Sequence, residues 1–240
     1  MCISRTGTNY GPRAIREAEG ASNTSSLGLS LAYDARNHPK NPNRGYYFQV
    51  AGDFAGVGGD VKYGRVTAEG RAYYPLAEKI TLVGRVIGGH IQGWGGEDVR
   101  LLDLFFKGGE TVRGFNRAGY GPRDMNTDDA LGGSTFWAAT AEVRFPIPLL
   151  PEELGISGAV FADAGSLFGA GAGAKKNQGC TPGDTTAVCL KDDSTVRSSV
   201  GGSILWNSPV GPIRMDLAQT LTKESYDKEQ FFRFGASTKF

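Results

Sequence analysis

The chain has 240 residues, and its 26 Lys and Arg residues against 25 Asp and Glu residues leave a formal net charge of +1. This near balance provides no electrostatic case for binding nucleic acid. The 36 glycines are about twice the average share, and charged residues or glycines interrupt every apolar run before it reaches the roughly 18 residues that a membrane-spanning helix needs.

The N-terminus carries no recognisable secretory signal. Met1 is followed at once by a polar stretch, residues 2–7, which lacks the apolar core and the small-residue cleavage site of a signal peptide. We expect either that this export route is not used, or that the true N-terminus is missing from the sequence.

From residue 27 onwards, apolar and polar side chains alternate in one segment after another, as where Val66 and Ala68 oppose Thr67. A period of two is typical of a β-strand whose two faces meet different surroundings. The pattern predicts about nine strands, at 27–34, 46–54, 61–74, 80–86, 137–145, 154–163, 196–207, 213–217 and 232–240.

The predicted connections have two lengths. Short turns such as 75–78 and 208–211 alternate with longer loops, of which 100–133 and 166–195 are the largest. Short turns at one end and long loops at the other are typical of an outer-membrane β-barrel, and many of the segments approach the roughly 9 to 11 residues with which a tilted strand crosses a bilayer.

A soluble β-sandwich or small barrel would show the same alternation, with its apolar face packed in a core. Two observations favour the membrane. The apolar face holds small residues that fill a core poorly but are acceptable against lipid: Gly64, Ala68, Gly70, Ala139 and Ala141. Aromatic residues near predicted strand ends would form interfacial girdles: Tyr46, Tyr74, Trp137, Phe145, Trp206 and Phe240. We therefore expect an all-β, antiparallel transmembrane β-barrel whose charged faces enclose a wet interior.

The sequence offers little for covalent chemistry. Its two histidines, His38 and His90, fall in a predicted turn and at a strand end, without a Ser, Cys or acidic motif at catalytic spacing. The glycine-rich run 169–176 lacks the residues that complete a phosphate-binding loop. We expect that the protein is not an enzyme and that it uses no cofactor and no metal.

The loop 100–133 departs from the variable polar sequence that a loop is expected to have, because Val112, Arg113, Gly114 and Phe115 stand amid its glycines. This motif, with further stretches that follow it in order, resembles the BamA/TamA superfamily of outer-membrane proteins over residues 27–240: 119–124, 130–133, 161–165, 208–214 and 226–240. In that family the sixth extracellular loop folds back into the barrel, and its arginine pairs with acidic residues of the wall.

The resemblance implies partners for the loop arginine. By position, Arg113 would pair with Glu142 and Asp163, which both lie on the polar side of predicted strands. A guanidinium in a partly desolvated interior needs carboxylate partners, and its planar fork can satisfy two of them. The alternative is an ordinary solvated loop arginine.

Two of the three cysteines, Cys180 and Cys189, lie in one polar segment. Their spacing suits a loop disulfide, given an oxidising compartment, better than a pair of metal ligands. Cys2 would then be unpaired.

The C-terminus resembles the β-signal of outer-membrane proteins, in which a polar residue, a glycine, a hydrophobic residue and a terminal aromatic follow one another. The corresponding positions are Arg233, Gly235, Thr238 and Phe240. Thr238 departs from the pattern, which weakens the match at that position. The alternative is a strand that packs its aromatic residues into a core.

Nine strands is an odd number, whereas bacterial single-chain barrels close with even numbers. We therefore expect residues 27–240 to be the C-terminal part, about half, of a barrel domain whose first strands and periplasmic POTRA domains lie outside the chain. Residues 1–26 would be the remnant of an extracellular loop.

The resemblance implies a protein that folds other β-barrel proteins and inserts them into the bacterial outer membrane by pairing strands at a barrel seam. The implied partners are unfolded outer-membrane barrel proteins, membrane lipids and accessory lipoproteins of an assembly complex, but no nucleic acid. A TamA-like assembly factor for autotransporters and a two-partner secretion pore remain open as alternatives.

Overall fold

The structure, a computed structural model, describes residues 22–39, 41–148, 150–170, 190–208 and 211–236. The strands of these ranges are β1 (Ser26–Asp34), β2 (Gly45–Ala55), β3 (Tyr63–Ala77), β4 (Ile80–Gly93), β5 (Arg123–Asp124), β6 (Asp129–Ala130), β7 (Thr135–Pro146), β8 (Ile156–Phe168), β9 (Leu190–Lys191), β10 (Arg197–Ser208), β11 (Gly211–Thr222) and β12 (Phe232–Ala236). Two 3-10 turns cover Leu101–Asp103 and Glu152–Leu154. Within these ranges, no helix is long and apolar enough to cross a membrane.

The long strands form one nine-stranded sheet in the order β1-β2-β3-β4-β7-β8-β10-β11-β12, with antiparallel neighbours throughout. The predicted number of strands and their antiparallel meander are confirmed. Strands β1 and β12 form the two edges, so the sheet is not closed. The three two-residue strands make a separate small sheet in the order β6-β5-β9.

Several strand ends differ from the prediction, and β3, β8 and β11 continue past the predicted ends to Ala77, Phe168 and Thr222. Strand β4 continues to Gly93 instead of ending at residue 86, because Gly88 and Gly89 interrupt the side-chain pattern while the backbone goes on pairing with β3 and β7. Strand β8 begins at Ile156, since Leu154 lies in a 3-10 turn and Gly155, with a φ of 66°, breaks the extended backbone before it.

The alternation divides the sheet into two faces, which we call outer and inner. Large apolar side chains are exposed on the outer face, including Leu29, Leu31, Val66, Val86, Val160, Ile204, Leu217, Phe232 and Phe234. Charged side chains lie on the inner face, where Glu142 and Asp163 are each only 3% exposed. This is the arrangement of a membrane barrel, because a soluble sandwich would bury the apolar face.

The connections follow the predicted alternation of lengths only in part. Tight turns join β3 to β4 and β10 to β11 at one end of the sheet, which we call the short-turn end, but the longer connections 35–44 and 147–155 also lie there, and the short connection 56–62 lies at the other end. The opposite, long-loop end carries the connections 94–134, 169–196 and 223–231. We call residues 94–134 the inward loop, because they fold back over the inner face.

A hydrophobic core lies where the inward loop covers the inner face. It combines side chains of the strands, such as Tyr63, Ile91, Phe136 and Leu167, with Val112, Phe115 and Tyr120 of the loop. The expected wet interior therefore does not extend to the long-loop end, where the inner face changes from charged to apolar residues and packs against the loop.

Candidate functional site

A tight turn at residues 108–112 positions the motif of the inward loop, residues 112–115. The amides of Thr111 and Val112 both donate to the carbonyl of Gly108, at 2.9 and 3.0 Å. The hydroxyl of Thr111 donates to the same carbonyl at 3.0 Å and lies 2.7 Å from the hydroxyl of Tyr120. The turn directs Val112 into the core, where it is fully buried, and brings Arg113 over strands β7 and β8.

Gly114 allows the loop to lie directly on the sheet. Its φ of 91° is in the left-handed region, which favours glycine. A Cβ atom at this position would lie 3.2 Å from Thr220 Cγ2 and 3.4 Å from Ser199 Cβ. The glycine is therefore required both by the backbone conformation and by the close approach to β10 and β11.

Arg113 forms the principal ion pairs of the loop. Its Nε and Nη2 donate to the two carboxylate oxygens of Asp163, both at 2.7 Å, and its backbone amide donates to Asp163 Oδ2 at 3.0 Å. Its Nη1 donates to Glu142 Oε2 at 2.7 Å. The guanidinium carbon also lies 3.4 Å from the ring centroid of Phe161, a cation–π geometry.

Further charged side chains complete this cluster. Arg144 donates through Nε to Glu142 Oε1 at 2.8 Å, and Arg214 donates to Glu142 Oε2 and to Asp216 Oδ1, both at 2.6 Å. With Arg113, the three arginines and the three carboxylates of Glu142, Asp163 and Asp216 carry no net charge. We call these six residues the inner-face network.

The network compensates the desolvation of Arg113. Burial lowers the pKa of the guanidinium, but the hydrogen bonds that it donates to Asp163 and Glu142, with the attraction of their negative charges, outweigh that effect, so that the net shift of the pKa is upward and the group stays charged. Removing one partner of such a buried pair costs about 3–5 kcal/mol, because it leaves the other charge uncompensated. The arrangement can hold a loop in place, and it presents no nucleophile beside a base.

Phe115 and Tyr120 attach the next part of the loop. Phe115 is 1% exposed, and its ring packs edge-on against that of Tyr120 at a centroid distance of 5.4 Å. Burial raises the pKa of the Tyr120 hydroxyl above its usual range. The four motif residues therefore serve different purposes: one fills the core, one forms ion pairs, one permits close approach and one packs against an aromatic ring.

A second buried ion pair was not singled out from the sequence. Arg197, at the start of β10, donates through Nε to Asp227 Oδ2 at 3.0 Å, and both side chains are fully buried. Tyr226 lies beside the pair, and burial raises the pKa of its hydroxyl to about 12. Alternation places Arg197 on the inner face, but nothing in the sequence pairs it with a residue of the connection 223–231.

The predicted C-terminal signal is described only in part. Arg233 and Gly235 lie in β12, and Arg233 Nη1 is 3.9 Å from Glu110 Oε2 of the inward loop. Thr238 and Phe240 lie outside the described residues, as do Cys180 and Cys189. The signal and the disulfide therefore stay predictions.

His90, close to the end of β4, lies on the outer face. Its Nδ1 is 2.7 Å from the hydroxyl of Thr135, and both side chains follow the parity of the lipid-facing positions. Within the described ranges, no three His, Cys, Asp or Glu residues group as they would around a metal ion.

Comparisons with known proteins identify relatives of this chain. The model of the Omp85 superfamily domain matches residues 4–240. The outer membrane protein assembly factor BamA of Neorickettsia risticii is 33% identical over 230 residues, which are 95% of this chain and 29% of that protein. The Sorting and assembly machinery component 50 homolog of Mus musculus is 34% identical over 156 residues, 64% of this chain and 32% of that protein. The chain thus spans about a third or less of the length of these relatives.

A solved structure shares the fold. The crystal structure of BamA from Haemophilus ducreyi lacking POTRA domains 1–3 aligns with a TM-score of 0.75 at 24% sequence identity. The alignment covers 87% of this chain and 41% of that one.

Proposed function

The chain belongs to the Omp85 superfamily, and we propose that it is the C-terminal barrel part of an insertase that folds β-barrel proteins into the bacterial outer membrane without covalent catalysis. The chain itself is a BamA-type barrel portion of a bacterial outer-membrane protein. Its bacterial relatives are named outer membrane protein assembly factors, and it matches only part of their length, so the activity of the whole protein is our proposal.

The observation that carries the proposal is the inward loop held on the inner face by Arg113. Here the network and the core beneath the loop connect the strands from β7 to β11, and β12 lies at the edge of the sheet, where its described residues Phe232 to Ala236 pair with β11. A braced wall next to an edge strand is suited to receiving another strand.

The physical problem that such a protein solves is backbone desolvation. An unfolded chain that enters lipid with unpaired amides and carbonyls loses several kcal/mol for each group. Pairing with an exposed strand edge satisfies these groups one after another, and main-chain hydrogen bonds supply most of the affinity. We propose that β12 offers this edge and that no covalent step or nucleotide is involved.

The proposed partners follow from this mechanism. They are unfolded outer-membrane barrel proteins, the surrounding lipids and accessory lipoproteins of an assembly complex. The TamA-like and two-partner secretion alternatives would use the same fold with other clients. Insertion of several unrelated barrel proteins would favour the general insertase, whereas export of one soluble partner would favour the secretion pore.

The test is reconstitution of the complete gene product in lipid vesicles with an unfolded barrel protein as client. We expect vesicles with the protein to fold the client faster than empty vesicles, measured by the heat-modifiable migration of the folded client. Arg113→Ala should reduce the rate at least tenfold, whereas Arg117→Ala, which removes an exposed arginine of the same loop, should not. Equal rates with and without the protein would exclude the proposal.

A further inference from the structure

The connection 223–231, which precedes the edge strand, also folds inward and pairs with the inward loop. The amide of Asn116 donates to the carbonyl of Lys228 at 2.8 Å, and the amide of Lys228 donates to the carbonyl of Gly119 at 2.7 Å. The amide of Gln230 donates to the carbonyl of Gly114 at 2.9 Å. The motif of the inward loop is therefore joined by backbone hydrogen bonds to the residues from which β12 starts.

The contacts of Arg197 hold this connection over the inner face. Nε and Nη2 of its guanidinium bond the carboxylate of Asp227 at 3.0 and 3.3 Å. Nη1 donates to the carbonyls of Asp193 and Thr195 at 3.0 and 2.9 Å, and Nη2 also donates to the hydroxyl of Tyr226 at 3.2 Å. All five donors of the fork thus have a partner, which suits a fully buried guanidinium.

Asp227 is satisfied in the same way. Besides Arg197, its Oδ2 accepts the amide of Glu224 at 2.7 Å, and its own amide donates to the carbonyl of Glu224 at 3.1 Å. These reciprocal bonds close a turn that presents the carboxylate to β10. The pair consequently connects three segments: the start of β10, the connection 223–231 and, through the backbone pairing, the inward loop.

We propose that Arg197 and Asp227 are positioning residues that hold the connection 223–231 on the inward loop and so determine where the edge strand β12 begins. The part that concerns strand pairing rests on the proposed function. The pair differs from the inner-face network in what it attaches: Arg113 ties the inward loop to β7 and β8, whereas Arg197 ties the connection 223–231 to the start of β10.

The test compares variants of the complete gene product in lipid vesicles by amide hydrogen exchange. In Asp227→Asn, a neutral group of the same size faces the buried guanidinium, and we expect the amides of Asn116, Lys228 and Gln230 to exchange on the order of 100-fold faster. Lys223→Ala is the matched control, because it removes an exposed ion pair with Glu229 in the same connection, and its exchange should equal that of the wild type.

A double variant separates positioning from simple charge compensation. Arg197→Met with Asp227→Leu removes both charges and keeps apolar bulk, which often preserves the stability of a protein. We expect this variant to remain folded by heat-modifiable migration but to keep the fast exchange and to insert clients about tenfold more slowly. If Asp227→Asn fails to fold, the exchange and insertion rates of this double variant still test whether the pair positions the connection.

Protection of the three amides equal to that of the wild type, in either variant, would overturn the inference. So would a double variant that inserts clients at the wild-type rate. If the wild type inserts no client at all, the proposed function fails, and the exchange experiment alone decides whether the pair positions the connection.

Discussion

The guanidinium of Arg113 and the carboxylate of Asp163 meet in a bidentate geometry, with a further bond from the Arg113 amide. The two residues are 50 positions apart in the sequence, so the contact joins the inward loop to β8, the second strand after the loop. Planar, two-bond pairing of this kind is specific to arginine, so a lysine at position 113 could not replace it.

A double-mutant cycle measures this pair. Arg113→Ala and Asp163→Ala should each lower the free energy of unfolding by about 3–5 kcal/mol, because each leaves a buried charge without its partner. The double variant should lose less than the sum of the two, with a coupling energy of about 1–3 kcal/mol. Urea unfolding in detergent micelles provides the measurement, and strictly additive losses would contradict the contact.

Glu142 has a different position in the network, because its two oxygens bond Arg113, Arg144 and Arg214. Glu142→Ala would leave three arginines facing the two remaining carboxylates. We therefore expect a loss of insertion activity at least as large as that of Asp163→Ala in the same vesicle assay. An unchanged rate in both variants would show that the network does not serve the activity.

Gly114 combines a left-handed backbone with close contacts, and the two contributions can be separated. Gly114→Ala should lower the free energy of unfolding by about 1–3 kcal/mol, from backbone strain and from the contact with Thr220. Gly58→Ala is the control, since Gly58 also has a positive φ, of 81°, but nothing within 4 Å of an added Cβ. A loss no larger than that of the control would show that crowding contributes nothing.

At the scale of the elements, strand β4 shows how one inner face serves two environments. Arg85 of this strand donates to Glu69 of β3 at 2.7 Å, whereas Ile91, on the same face but six residues nearer the long-loop end, is 1% exposed in the core. The difference arises because the inward loop covers only that end. The inner face of β4 therefore lines the charged interior near Arg85 and packs in the dry core near Ile91.

This division predicts unequal effects of the same substitution. Ile91→Ala should lower the free energy of unfolding by about 2–5 kcal/mol, because a cavity remains under the inward loop. Ile204→Ala removes the same atoms from the outer face, where Ile204 is exposed, and should cost less, since lipid chains can fill the space. Equal losses in urea unfolding from lipid vesicles would contradict the dry core.

At the scale of the whole molecule, the two faces of the sheet need different surroundings. The apolar outer face needs lipid, and the charged inner face needs the polar interior of a barrel. Neighbouring residues of one strand therefore meet opposite surroundings. In the middle of β1, Leu31 belongs to the outer face and Ala32 to the inner face.

Leu31→Lys should lower the stability in lipid vesicles by about 2–4 kcal/mol, the cost of a lysine near the bilayer midplane. Ala32→Lys places the same charge one residue away on the inner face, and should have little effect. The measurement is the urea midpoint of folding into the vesicles. A larger effect of Ala32→Lys would mean that the two faces have been assigned the wrong way round.

The sequence by itself determined the strands, their number and which side chains share a face, because the period of two repeats in nearly every segment and depends only on neighbouring residues. It also marked Arg113 and Asp163, through a family resemblance. Strand ends were harder to predict, since glycines such as Gly88 carry no side-chain signal.

Only the tertiary structure decided which groups meet across long separations. The dry core at the long-loop end, the three arginines around Glu142 and the pair of Arg197 with Asp227 all depend on how loops fold over the inner face. Alternation assigns a face to each residue but not a partner. The partner depends on burial, because a charged side chain from which a loop excludes water needs a side chain of opposite charge beside it.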